Sequence, residues 1–235
     1  MKISIIIVCY NAKKTIEDAI LSIIQQTYAN LELIIIDGKS TDGTIEIIKK
    51  YEKNISFWVS EPDSGIYNAM NKGLHYASGD YVYFLGADDQ LKPNIIQEIS
   101  TVLTKPQIYY GNIYMRKRMK TYAGKFNSFM LVVKNIPHQA TFYPKRIYKT
   151  TQYNEKYKLL ADYNLNLELW KKENFIYIPY TIAIYNDEGA SSTYKDTEFE
   201  KNRFQILCTN LPIYCFPYIV FRKIRTLLGN FLKSR

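Results

Sequence analysis

The chain is poor in the residues that would staple it, anchor it or cradle a phosphate on backbone alone. Only three of its 235 residues are cysteine: Cys9, Cys208 and Cys215. An odd, sparse set without paired ligand spacing excludes a disulfide framework and a zinc ribbon, and it points to a reducing, cytoplasmic compartment. Cys9 lies in an apolar run and reads as a small core residue. No glycine falls between Asn11 and Thr15, so neither a dinucleotide fingerprint nor a P-loop follows the first apolar run. No stretch of about twenty apolar residues runs uninterrupted, which leaves no clean transmembrane helix. The short run after Met1 is broken by Asn11, Lys13 and Lys14 before any small-residue cleavage site, so it is read as a strand and not as a leader. Internal repeats, low-complexity tracts and linkers are lacking as well.

What remains is a globular composition with an uneven charge. Apolar residues make up 47% of the chain, enough for a sizeable core and too many for a disordered chain. The net charge is +9, but residues 1–100 carry −4 and residues 101–235 carry +13. A strongly basic half attracts the phosphates of nucleic acid, anionic lipid or a phosphorylated substrate. No nucleic-acid-binding motif accompanies the charge, so nucleic acid is not an expected partner.

Two periodicities alternate through the first hundred residues. Ile3 to Cys9, Leu31 to Ile36, Ser56 to Val59 and Tyr81 to Leu85 read as buried strands. Helices are expected over Thr15 to Gln26, from Asp42 or Thr44 to Tyr51, over Ser64 to Ala77 and over Pro93 to Leu103. Thr15 with Asp18 suggests a capping box. Such alternation implies an α/β fold, a mostly parallel central sheet flanked by helices. Ligands of open parallel sheets bind beyond the carboxyl ends of the strands. The polar residues there are Tyr10 and Asn11, Asp37, Ser60 and Glu61, and Asp88 and Asp89.

With no glycine-rich loop, a phosphate ligand must be held another way, and a divalent cation clamped by carboxylates is the alternative. Mg²⁺ or Mn²⁺ commonly uses one or two carboxylates plus substrate phosphate oxygens. Asp88 and Asp89 suit that need, because adjacent carboxylates at a strand end repel unless solvated or neutralised. The plainer alternative is a solvated turn with Asp89 capping the next helix.

Six segments in order resemble family 2 glycosyltransferases with the GT-A fold: SIIIVCYN (Ser4 to Asn11), IIIDGKSTDGT (Ile34 to Thr44), SEPDSGIYNAMNKG (Ser60 to Gly73), GDYVYFLGADD (Gly79 to Asp89), HQATFY (His138 to Tyr143) and LLADYNL (Leu159 to Leu165). The resemblance implies an inverting, metal-dependent transfer of a single sugar from a nucleotide-sugar, with a UDP-sugar favoured and Mn²⁺ or Mg²⁺ as cofactor. Asp162 is then the expected general base. Asp88 anchors the donor diphosphate through the metal, and Asp89 supports it as a second metal residue. Tyr10 packs near the base, and Asp37 accepts a hydrogen bond from it. Cys9, Asn11, Ser40, Glu61, Asp63, Ala87 and His138 complete the expected donor site. The plainer alternative for Glu61 and Asp63 is to favour a helix N-terminus electrostatically, and His138 could equally contact the acceptor or be a hydrogen-bonded structural residue. Many relatives carry an acidic or amide residue where this chain has Gly86, so the first arm of the usual DxD motif is missing. Asp162 has a plainer alternative as the N-cap of the helix expected over Ala161 to Lys172, with Tyr163, Leu167 and Trp170 on one side.

The expected organisation is a GT-A domain over residues 1–194. Residues 1–104 form its nucleotide-sugar half and 105–194 its acceptor-side half. A basic helical appendage follows over 195–235. In the second half, Arg116, Lys117, Arg118 and Lys120 suggest a loop or hairpin, His138 to Tyr143 an extended segment, and Phe175 to Tyr185 another, broken at Pro179. Ile206 to Phe221 is apolar and aromatic but holds Pro212 and Pro217, and it leads into Arg222, Lys223, Arg225, Lys233 and Arg235. With Ile224, Leu227, Leu228 and Phe231 it suits peripheral contact with the inner face of the cell membrane. It suits equally well packing on its own domain, or on a second copy in a homo-oligomer. The expected acceptor is a glycan or a polyprenyl-diphosphate-linked glycan in cell-surface polysaccharide synthesis. A nucleotide-sugar-binding protein without catalysis is the competing reading, favoured by Gly86 and opposed by intact Asp88 and Asp162.

Overall fold

A computed structural model describes residues 1–189 and 195–233, with side-chain surroundings given up to Leu228. The expected domain boundary at residue 194, together with Arg235 and the side chains of Phe231 and Lys233, lies outside the described residues. In the first half the elements are β1 (Ile3–Cys9), α1 (Ile16–Ile24), β2 (Leu31–Asp37), α2 (Thr44–Lys50), β3 (Phe57–Ser60), α3 (Ile66–Tyr76), β4 (Tyr81–Gly86), β5 (Gln90–Leu91) and α4 (Ile95–Ser100). There follow β6 (Ile108–Met115), β7 (Lys120–Tyr122), α5 (Ser128–Val133), β8 (Thr141–Pro144), α6 (Ala161–Trp170), β9 (Phe175–Tyr185), α7 (Thr197–Asn210) and α8 (Phe216–Lys233).

The fold is α/β, and its strands form one sheet in the order β3-β2-β1-β4-β8-β6-β9-β5, with β7 on β6. The first four strands in that order are parallel to their neighbours. Beyond β4 the sheet is mixed, because β8 runs antiparallel to both β4 and β6. β5 leaves β4 by a short turn, yet it pairs with β9 at the far end of the strand order. The sheet therefore curls until its two halves meet at Ala87 to Asp89.

Alternation along β1 decides which helices cover which face. Ile3, Ile5 and Ile7 pack with Ile16, Ile20 and Ile96 of α1 and α4. Ile6 joins Ile36, Phe84 and Met70 of α3 in the other cluster. The same pleat turns Ser4 towards Glu32. Glu32 also accepts from Ser78 Oγ at 2.6 Å and Gly79 N at 3.1 Å, and it pairs with Lys2 Nζ at 2.5 Å. Burial alone would raise this carboxyl, but the hydrogen bonds from Lys2, Ser4 and Ser78 outweigh it and hold the group down at about 2. The stabilisation is thus fully present above the ordinary glutamate range and is lost as pH falls towards 2. Glu32→Gln is expected to destabilise the fold by roughly 1–3 kcal/mol at pH 7. Denaturant melts at pH 7 and near pH 2 should show that deficit shrinking in acid; a constant deficit would assign the loss to packing.

Several local expectations are corrected. Thr15 precedes α1 without a side-chain cap, since the Ala12 carbonyl takes the N–H groups of both Thr15 and Ile16. Asp42 does help start α2, accepting from Thr44 N at 3.0 Å. His138–Ala140 is a 3-10 turn and only Thr141–Pro144 is extended. Pro179 does not end β9. It sits where the β6–β9 register slips between Tyr110 and Asn112, the bulged site that a residue without an N–H tolerates. Gly111 lies opposite, where an added Cβ would come within 2.6 Å of the Tyr180 carbonyl. The basic cluster does form a hairpin, with Met115 paired to Lys120.

α6 is not one-sided: it is buried along most of its length, because the C-terminal segment covers it. Phe199 is fully buried and stacks on Tyr163 at 5.3 Å. Leu207, Leu211, Cys215 and Ile219 belong to the same core cluster as Phe84 and Leu167. The segment expected as an appendage is thus in part the wall of the domain.

Candidate functional site

A cavity of about 740 Å³ opens at the carboxyl ends of β1 and β4, within the range of small-molecule sites. Its lining includes Cys9, Tyr10 and Asn11 after β1, Ala87 and Asp88 after β4, Ile66 and Tyr67 of α3, and His138 with Gln139. Tyr185, Asn186 and Gly189 close one side.

The β1 end is locked to the loop after β2. Asn11 takes a left-handed φ of 50°, which asparagine tolerates. Its backbone N–H donates to Ser40 Oγ at 2.7 Å, and its side chain accepts from Thr41 N at 3.0 Å. Ser40 in turn donates to Asp37, from its backbone at 2.9 Å and from its hydroxyl at 2.5 Å. Asp37 is fully buried and also accepts from Ser60 Oγ at 2.6 Å and Cys9 Sγ at 3.5 Å. Protein donors therefore surround Asp37 on both oxygens. The carboxylate is saturated by the protein and organises the loop beneath the cavity. Burial, then the Asp37 charge, pushes the Cys9 thiol far up, which disfavours its thiolate. Tyr10 is 67% exposed at the rim, free to stack on a planar ligand.

Glu61 and Asp63 do not line the cavity. Glu61 pairs with Lys72 at 2.7 Å. Asp63 accepts from Gly65 N at 2.8 Å ahead of α3, the plainer helix-terminus role.

Asp88 and Asp89 part ways. Asp88 lines the cavity and accepts from Asn186 Nδ2 at 2.9 Å. Asp89 is 1% exposed and lies behind, accepting from Gln139 Nε2 at 3.0 Å and Asn186 N at 2.7 Å. Burial, and next the Asp88 charge, pushes its carboxyl up to about 7. The glycine before them has a steric reason. A Cβ on Gly86 would lie 2.4 Å from Asp89 Oδ2 and 3.0 Å from Asp88 Oδ1. The nearest neighbours of any side chain at position 86 are thus the two aspartate carboxylates. Among the described residues no three His, Cys, Asp or Glu gather to hold a metal by themselves. One cavity-facing carboxylate still fits a hard divalent cation that takes its remaining oxygens from a diphosphate and water.

Asp162 lies in the first turn of α6 but is not its N-cap, which is Leu160. Its carboxylate, 6% exposed, accepts from Tyr67 OH at 2.8 Å, Asn135 Nδ2 at 2.8 Å and Tyr163 N at 2.8 Å. His138 Nδ1 stands 3.2 Å from Asp162 Oδ2. His138 and Tyr67 line the cavity, so Asp162 meets it through them. The turn ahead of α6 is fixed by Asp196, whose Oδ2 accepts from Leu159 N at 2.8 Å and Leu160 N at 3.0 Å. Tyr67, Asn135, Gln139, Asn186 and Asp196 join the site only through the tertiary fold. Tyr67 and Gln139 each stand inside a segment that resembles the family, whereas nothing local marks Asn135, Asn186 or Asp196.

Residues 4–164 match the family model for glycosyl transferase family 2. A PGL/p-HBAD biosynthesis glycosyltransferase of Mycobacterium bovis is 33% identical over 210 residues, covering 84% of this chain and 82% of the relative. Among solved structures, Staphylococcus aureus TarS 1-349 in complex with UDP-GlcNAc superposes with a TM-score of 0.74 at 17% identity, over 89% of this chain and 66% of that one. The mannosyltransferase PcManGT of Pyrobaculum calidifontis, in complex with GDP-Man and Mn²⁺, gives a TM-score of 0.66 at 16% identity, over 93% and 68%. A longer TarS chain is spanned to only 39% of its length. At these identities the structural likeness bears on the fold, which is GT-A.

Proposed function

The chain belongs to glycosyl transferase family 2 and is a glycosyltransferase, and from that premise we propose an inverting, single-sugar transfer in which Asp88 serves the donor diphosphate and the His138–Asp162 pair serves the acceptor hydroxyl. The observation that carries this reading is that Asp88 and His138 line one cavity while Asp162 backs His138 at 3.2 Å. A UDP-sugar is the proposed donor, in keeping with the UDP-GlcNAc complex of TarS. A glycan or polyprenyl-diphosphate-linked glycan of the cell surface is the proposed acceptor class. Tyr10, exposed at the rim, is the residue proposed to stack on the base.

Asp88 is the residue proposed to hold Mg²⁺ or Mn²⁺ together with diphosphate oxygens. A bound divalent cation neutralises the charge that develops on a leaving nucleoside diphosphate. Asn186 fixes the orientation of Asp88 and, through its backbone, that of Asp89. The attacking hydroxyl must lose its proton as it bonds to the anomeric carbon. If His138 donates Nδ1–H to Asp162, Nε2 remains as the ring's acceptor and the carboxylate stabilises the imidazolium that forms. A screen of UDP-, GDP- and dTDP-sugars, read by released nucleoside diphosphate, tests the donor. Turnover with a UDP-sugar well above the others is expected; preference for GDP- or dTDP-sugars would reject the uridine assignment.

A further inference from the structure

From Lys201 to Arg235 the sequence holds no Asp or Glu, while Arg222, Lys223 and Arg225 follow one another on α8. The helix has one face on the protein, where Ile219 enters the core beside Cys215 of the preceding turn. Its opposite side is apolar and open: Phe221, Ile224, Leu227 and Leu228 are each 51% to 58% exposed. Ile213, in the turn before the helix, is 83% exposed. At about 100° per residue, Leu227, Ile224, Leu228 and Phe221 fall in one stripe roughly 120° wide. Lys223 borders that stripe on one edge and Arg225 on the other. The patch continues onto α5, where Phe129 is exposed and its ring lies 5.6 Å from that of Tyr214.

We infer that this face of α8 is a docking surface for an anionic phospholipid bilayer, lying in the plane of the interface. An apolar stripe edged by cations on both sides matches acyl chains below and anionic headgroups around it. Pairing with a second copy fits less well, because Lys223 and Arg225 would face like charges along the seam. No helix of the described residues is long and apolar enough to cross a membrane, so the surface lies on the bilayer. The surface stands apart from the catalytic cavity, and the inference does not depend on which sugar is transferred.

Truncation would not test this cleanly, since Leu207, Leu211 and Ile219 are core residues. The experiment is co-sedimentation of the full chain with phosphatidylcholine vesicles and with vesicles containing phosphatidylglycerol, at low and high salt. Two double variants accompany it, Ile224→Asp with Leu228→Asp, and Lys223→Ala with Arg225→Ala. The native chain is expected to bind anionic vesicles, less at high salt, and hardly the neutral ones. Vesicle affinity should fall at least tenfold in the aspartate variant and severalfold in the alanine variant, with circular dichroism unchanged. Because the alanine changes are confined to exposed cations, that variant carries the test if the aspartate one misfolds. Failure of the native chain to sediment with anionic vesicles at low salt would overturn the proposal. So would vesicle binding unchanged in the alanine variant, or a native dimer in light scattering that the aspartate variant splits while neither binds vesicles.

Discussion

Asp88→Asn is expected to abolish sugar transfer and to remove the metal dependence of donor binding. Asp88 is the member of the carboxylate pair that lines the cavity. Asp89 cannot replace it while its two oxygens are engaged by Gln139 and Asn186 in a site 1% exposed. Nor is there an acidic side chain at Gly86 to share the load. Loss of the sole cavity-facing carboxylate of the pair should lower turnover by about 10³-fold or more, the scale of a lost electrostatic stabiliser at a developing charge. Calorimetric titration of UDP with and without Mn²⁺ separates binding from chemistry. The native chain should bind UDP more tightly with the metal, and Asp88→Asn should bind it equally with and without. Retained metal dependence in the variant would remove Asp88 from this role.

Asp162→Asn is expected to leave donor affinity intact and to lower turnover by roughly 10²–10⁴-fold, the usual contribution of a positioned base. The amide keeps the shape and, through its one oxygen, the bonds from Tyr67 and Tyr163, but it cannot supply the negative charge behind His138. His138→Gln should lower turnover on the same scale, and the double variant should be little worse than either single one, because the two act as a unit. Single-turnover kinetics with a fixed donor concentration would read all three. Normal turnover in Asp162→Asn would reduce the residue to a structural anchor of α6. A large loss in Asp162→Asn beside a small one in His138→Gln would make Asp162 the direct proton acceptor.

The strands and helices of the first half were legible because each buries one side of a regular period. The isoleucines of β1 and β2 and the stripe on α1 allow few other arrangements. The second half was harder to read. β6 was missed because Tyr109, Tyr110, Gly111 and Asn112 blur the apolar run, and their pairing with β9 is non-local. Pro179 misled for the same reason: a bulge needs two strands, and the partner, Gly111, is 68 positions away. Packing of the C-terminal segment on its own domain was one of the open alternatives, but the sequence could not select it, since Phe199 and Leu211 look like any appendage residues until α6 is known to need a cover.

At the site, the chemistry that is available could be read from local sequence. Asp88, His138 and Asp162 stand in segments recognisable one by one, because strand ends and short motifs are local features. Which of those groups face the cavity depends on how distant segments pack. Asp37 and Asp88 both stand at strand ends beside small residues, yet Asp37 is sealed by Ser40, Ser60 and Cys9 while Asp88 is open. Whether a carboxylate is saturated or available depends on donors brought from elsewhere in the chain, such as Asn186 to Asp88 across 98 residues. Spacing along a sequence carries no record of those encounters; they arise when the sheet curls and its two halves meet at the same turn.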